Sequence, residues 1–166
     1  MGREAGGVTV LRFTVLGKPQ PAGSKRAFAI KRGGVPTGKV AVADANPRAK
    51  SWQQEVASVA RAAFIDARGG GVFDGPLELR VWFYAPRPRS HYRTGRNAHL
   101  LRDSAPTWPI VRPDTTKLLR GLEDALTGVV WRDDAQVVVQ TARKVYGEPA
   151  RTMVEIQRLI VERETA

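Results

Sequence analysis

Cysteine is absent from this chain of 166 residues, which excludes a disulfide framework, a thiolate metal site and a cysteine nucleophile. Histidine is scarce: His91 and His99 are the only two, too few for a histidine-built metal centre. No apolar run approaches the roughly 18 residues that a membrane span requires. Met1 to Gly7 lacks the basic-then-apolar order of a secretory leader. These absences lead to the expectation of a soluble, cytoplasmic protein with no membrane association. Acidic residues are also few, 16 Asp and Glu against 27 Lys and Arg, for a formal net charge of +11. An imbalance of that size calls for a polyanionic partner, of which nucleic acid is the commonest. An ordinary basic protein is the plainer reading, and charge alone does not separate DNA from RNA or from an acidic membrane.

The β-branched run Val8 to Leu16 reads as a strand. Gly17 to Arg26 breaks it with Pro and Gly and adds Lys18, Lys25 and Arg26. Short strands at Ala27 to Ile30 and Lys39 to Val42 flank the turn formers Gly33 and Gly34. Asn46 suits a helix N-cap and Pro47 the first helical position. Trp52, Val56, Val59, Ala60, Ala63 and Phe64 then recur at helical spacing until Gly69 to Gly71. Leu77 to Tyr84 reads as a strand, Asp114 to Leu126 as a helix stopped near Gly128, and Gln136 to Val145 as a strand. Thr152 to Val161 alternates like a last strand, with a short helix as the alternative. Trp52, Trp82 and Trp131 read as core or sheet-face residues. The order β-(ββ)-α-β-α-β-β predicts one α/β (α+β) domain over residues 1–166, with a mixed sheet flanked by helices.

The chemistry concentrates between Arg112 and Lys144. Asp114 stands at a helix start, and Asp133 and Asp134 follow about twenty residues later, before a strand. If the helix and its return turn bring its two ends to one sheet edge, carboxylates from separate elements converge on a hard cation. Mg²⁺ takes one or two carboxylates plus waters and phosphate oxygens and assists phosphodiester hydrolysis. A bland reading stands beside this one: Asp at a helix start caps it, and Asp-Asp before a strand makes a turn.

The ordered series Pro113-Asp114, Arg120, Asp124-Ala125-Leu126-Thr127-Gly128 and Asp133-Asp134-Ala135-Gln136-Val137 resembles the RusA family of Holliday-junction resolvases. Gly17-Lys18-Pro19, Gly23-Ser24-Lys25-Arg26 and Lys144-Val145-Tyr146 add weaker matches. The resemblance implies a RusA-like fold and Mg²⁺- or Mn²⁺-dependent paired cleavage of four-way DNA junctions by a homodimer, with no small-molecule cofactor. By position, Asp114 and Asp134 match the family's catalytic aspartates and Asp133 is a neighbour of the second. Arg120 stands where the family carries a functional lysine. The family's second Asp falls on Thr116 and the following Asn on Lys117. Either another acid, Asp124 or Asp133, completes the site, or the metal is held weakly with Thr116 as a poorer ligand, or the chain binds junctions without cutting them. Asp124 also suits a plain ion pair with Arg120 four residues away.

For DNA contacts the sequence offers Lys18, Lys25, Arg26 and Lys144, and a basic loop at about 87–105. The stretch Arg87 to Arg102 holds five arginines, among them Arg87, Arg89, Arg93 and Arg96, and no acid. We expect this loop to be mobile and to order on phosphates, with Tyr92 or Trp108 stacking on an exposed base. A solvated loop of no specific role is the plainer reading. Lys117 or Arg120 would neutralise charge on the scissile phosphate, and nothing requires His91 as a base. An RNA-binding or RNA-processing domain is a third, separate expectation.

Overall fold

A computed structural model describes residues 10–23, 25–44 and 46–159, with the side chains of residues 25, 26, 43 and 44 left out. The elements run β1 (Val10–Leu16), β2 (Lys25–Arg32), β3 (Val35–Asp44), α1 (Pro47–Arg68), β4 (Leu77–Ala85), α2 (Thr115–Leu126), β5 (Val137–Tyr146) and β6 (Arg151–Arg158). Single 3-10 turns lie at Arg89–His91, Gly95–Asn97 and Asp134–Gln136. The α+β order expected from the sequence is the one observed, and the last element is a strand. The expected strand starts and ends at Val8 and Val161 lie outside the described residues.

Four strands form a mixed sheet in the order β1-β6-β4-β5, with β4 and β5 parallel and the other neighbours antiparallel. Alternation fixes which face is buried. Leu11 pairs with Ile156 and Ile156 with Leu79, while Phe13 pairs with Val154 and Val154 with Val81. These side chains therefore share one face, and they are all buried in one cluster with Val56 and Phe64 of α1 and Leu118, Leu122 and Leu126 of α2. Both helices lie on that face. Each fully buried Leu, Val or Phe contributes roughly 1.5–3 kcal/mol. The opposite face carries an in-register row in which Arg12 (2.7 Å) and Arg80 (3.1 Å) both bind Glu155.

Sequence chemistry sets the ends of α1. The Asn46 side chain accepts the Arg48 N–H (3.1 Å), Pro47 opens the helix, and Gly69 closes it in the left-handed region at φ 76°. Gly121 settles how α1, α2 and the segment before β2 meet. A Cβ there would lie 3.1 Å from the Ala22 nitrogen and 3.3 Å from the Gln20 carbonyl. Its absence lets that segment strap across α2, where the Ala22 N–H donates to the Lys117 carbonyl (2.8 Å). Lys18 and Gln20 are thereby set beside the start of α2. Among the described residues no helix is long and apolar enough to cross a membrane.

Candidate active site

Each motif residue between Thr127 and Gln136 has a structural partner. Trp131 is fully buried, and its Nε1–H donates to Asp134 Oδ1 (2.9 Å) and to Thr127 Oγ1 (3.1 Å). The Thr127 hydroxyl also hydrogen-bonds Asp134 Oδ1. Asp133 caps the 3-10 turn by accepting the Ala135 N–H (2.8 Å), and Gln136 completes the capping box. The Gln136 amide group reaches the Phe73 carbonyl (2.9 Å), pinning the turn to the loop before β4. Asp133 thus fills a turn role, whereas Asp134 is an exposed carboxylate whose Oδ1 is aimed by two donors.

Glu123, which sequence reasoning passed over, lies next to Asp134. Burial pushes the Glu123 carboxyl up from its ordinary value and the Asp134 charge pushes the same way, while a hydrogen bond from Gln140 pulls it back. Only packing reveals this neighbour, because Glu123 sits on the border of the Leu face of α2 and no motif marks it.

Asp114 occupies the N-cap position of α2, yet its side chain makes no capping hydrogen bond. Its carboxylate is exposed and pairs with Lys117 Nζ (3.3 Å). No Asp124–Arg120 ion pair forms among the described residues, so the pair expected there is replaced by Lys117–Asp114 one turn earlier. Thr116 and Arg120 are exposed on the same helix. Lys144 Nζ donates to the Val111 (2.8 Å) and Pro113 (2.9 Å) carbonyls. It holds the chain leading into Asp114 and keeps only one of its three donors for other partners.

An open cleft of about 360 Å³ surrounds Asp114, lined by Lys18, Gln20, Asn46, Arg48, Arg112 and Lys117 among others. Four cations facing one carboxylate make an anion-binding surface suited to a phosphate backbone. Arg48 and Arg112 were not anticipated. One signal was available for Arg48, since a cation in the first turn of a helix opposes the helix dipole, and α1 has no acid there to offset it.

The expected convergence of Asp114 and Asp134 within one chain does not occur. Asp114 precedes α2, and Asp134 hangs from Thr127 and Trp131 beyond its other end. Twelve helical residues rise about 18 Å. Strand β5, which runs back alongside α2, gives an independent ruler: Lys144 holds the Asp114 end, Val137 follows the Asp134 turn, and seven residues of strand span about 23 Å. Accordingly, no group of three or more His, Cys, Asp or Glu able to hold a metal exists among the described residues. Asp114 and Asp134 of one chain therefore do not share a cation site: they stand at opposite ends of α2, Asp114 beside Lys117 and Asp134 beside Glu123. Exposed apolar side chains flank both: Trp108, Ile110 and Val111 before Asp114, and Val138 and Val139 after Asp134.

The basic loop folds back on itself through an isolated bridge between Tyr92 and Leu101. Arg87 donates to the Pro106 carbonyl (2.8 Å) and lies over the Tyr146 ring, and Arg93 pairs with Asp103 (2.8 Å). Arg89 and Arg96 are exposed at its surface. The side chains of Lys25 and Arg26 lie outside the described residues.

The RusA endodeoxyribonuclease model matches residues 18–157, from the strap carrying Lys18 to the last strand. The chain belongs to the RusA endodeoxyribonuclease family. The match takes in both ends of α2 and the Asp134 turn. A relative, the uncharacterized protein YqaN of Bacillus subtilis (strain 168), is 30% identical over 154 residues, covering 90% of this chain and 96% of its own. The RusA assignment carries the class of activity, cleavage of DNA phosphodiester bonds at Holliday junctions.

Proposed function

We propose that this RusA-family chain resolves four-way DNA junctions as a two-fold homodimer in which Asp114 of one copy and Asp134 of the other hold one Mg²⁺ or Mn²⁺ between them. The observation that carries this reading is the position of two exposed carboxylates at opposite ends of one helix, each beside exposed apolar side chains. In a two-fold contact, patch i meets patch j and j meets i. Docking Trp108, Ile110 and Val111 against the second copy's Val138 and Val139 buries both apolar patches and brings unlike ends of α2 together twice. Two such sites suit two nicks on opposed strands.

The roles of the chain's own groups follow. Thr127 and Trp131 hold Asp134 Oδ1 and leave its second oxygen for a ligand. Lys117 and Arg120 offset charge on the scissile phosphate, with Thr116 contributing a neutral hydroxyl. Lys18, Arg48 and Arg112 line the cleft that takes the backbone, and Arg89 and Arg96 reach further along it. Asp133 stays with its turn. When bound, the cation supplies an activated water and stabilises the leaving oxygen.

A second reading has one observation in its favour. Lys117 pairs with Asp114 where the family carries Asn, so an ammonium stands against the carboxylate that a metal would need. On that reading the chain binds junctions and cuts weakly or not at all. A labelled four-way junction separates the two. Nicks that appear with Mg²⁺ or Mn²⁺ and vanish with chelator, over a binding step that survives chelation, support the nuclease. Binding without nicks at any concentration of either metal supports the second reading. Equal affinity for junction and linear duplex overturns both.

A further inference from the structure

The ribbon formed by β2 and β3 has no place in the core. Among the described residues its strands pair only with each other. Gly33 and Gly34 turn its tip at φ 59° and 85°, the double positive φ that two-residue hairpins favour. An isolated two-stranded ribbon is marginal in water, yet this one leaves Phe28 (52%), Val35 (67%), Val40 (65%) and Val42 (61%) exposed. Among the described residues nothing covers these side chains, which leaves the face open to a partner. Residues 25–44 carry five cations, Lys25, Arg26, Lys31, Arg32 and Lys39, against the single acid Asp44. A second copy's ribbon laid against this one would bring the same local excess of cations and be repelled. A polyanion would be attracted.

Position says which part of the polyanion. The Asn46 side chain, just after β3, donates to the Pro21 carbonyl (3.1 Å) on the strap before β2, tying the two feet of the ribbon together. Asn46 and the strap residues Lys18 and Gln20 also line the Asp114 cleft. The ribbon therefore springs from the rim of the site. Its eight-residue β2 strand reaches about 26 Å, roughly seven or eight base pairs at 3.4 Å each. A two-stranded ribbon fits the major groove.

We propose that the β2–β3 ribbon is a duplex-gripping arm, lying along the DNA arm that leaves the cleft, with Lys31, Arg32 and Lys39 on phosphates and its apolar side chains against the groove. This rests on the junction reading above but names a contact distinct from the carboxylate site. The test compares wild type with the triple variant Lys31→Ala, Arg32→Ala, Lys39→Ala. Binding is measured across salt in chelator, on junctions with arms of about 20 and about 5 base pairs, the shorter falling inside the ribbon's reach. Expected for the variant are an unchanged thermal midpoint, since the ribbon is outside the core, and a loss on the order of tenfold or more for long arms. The slope of log affinity against log salt should fall by about 2 to 3, near 0.9 per phosphate contact. Short-arm affinity should change far less. An unchanged long-arm slope, or an equal loss on both substrates, overturns the arm. So does a shift from dimer to monomer with DNA binding per dimer unaltered, which would make the ribbon an intersubunit contact. A wild-type chain that binds no junction overturns the junction reading itself, whereas an unchanged slope over intact binding overturns the arm alone.

Discussion

Asp134→Asn is expected to lower junction nicking by a factor on the order of 10³ while leaving junction affinity within about twofold. The magnitude follows from the several kcal/mol that a metal ion contributes to charge stabilisation, at 1.36 kcal/mol per tenfold in rate. The selectivity follows from geometry. Asn keeps a side-chain oxygen that accepts from Trp131 Nε1 and the Thr127 hydroxyl, the two groups that orient Asp134. The turn stays pinned by Gln136, and only the charge is lost. Losing a negative charge does not weaken the attraction of the cationic cleft around Asp114 for phosphate, so binding persists. The measurement is single-turnover nicking of a labelled junction beside an affinity titration in chelator. Activity near wild type would remove Asp134 from the site.

Trp131→Ala is expected to cost about 3–5 kcal/mol, the range for truncating a buried Trp, and to lower the melting temperature on the order of 10 °C at this chain length. Trp131 is fully buried in the cluster shared by α1, α2 and the sheet. It also donates to Asp134, so stability and nicking should fall together. Trp131→Phe separates the two contributions. The smaller Phe ring keeps most of the packing but leaves part of the indole's space empty, and the N–H is gone, so the cost should be about 1–3 kcal/mol. Nicking should drop in Trp131→Phe as far as in Trp131→Ala, with a smaller fall in melting temperature. Nicking at the wild-type rate would mean that Thr127 alone orients the carboxylate.

Local chemistry made much of the fold legible. Asn46, Pro47 and Gly69 bound α1 where capping rules put them, and the Leu spacing of α2 and the alternation in β4 and β6 identify their buried faces. Strand order was not legible. That β6 inserts between β1 and β4, and that β4 and β5 run parallel, depends on pairings between residues far apart in the chain. The candidate site divides the same way. Spacing and resemblance pointed to Asp114 and Asp134, and periodicity gave α2 its length, but whether the return turn brings the two ends together depends on packing, and here it leaves them apart. Lys144 read as a DNA contact because a cation near a motif has no visible partner in sequence, and the structure gives it two carbonyls. Asp133 read as a turn residue or a ligand, and its capping hydrogen bond engages it in the turn. Glu123, Arg48 and Arg112 carry no motif and emerge only once α2, α1 and the strap are packed together.

The shared site has a direct test in mixed dimers. Asp114→Asn and Asp134→Asn are each purified, then unfolded and refolded together so that subunits mix at random. If Asp114 of one copy works with Asp134 of the other, a mixed dimer holds one intact site and one doubly substituted site. Half the dimers are mixed, so nicking should return to about a quarter of the wild-type site number, as single nicks rather than paired cuts. If both aspartates of a site came from one chain, every site in the mixture would lack a carboxylate. Nicking no higher than that of either variant alone, in a mixture shown to contain mixed dimers, would contradict the shared site.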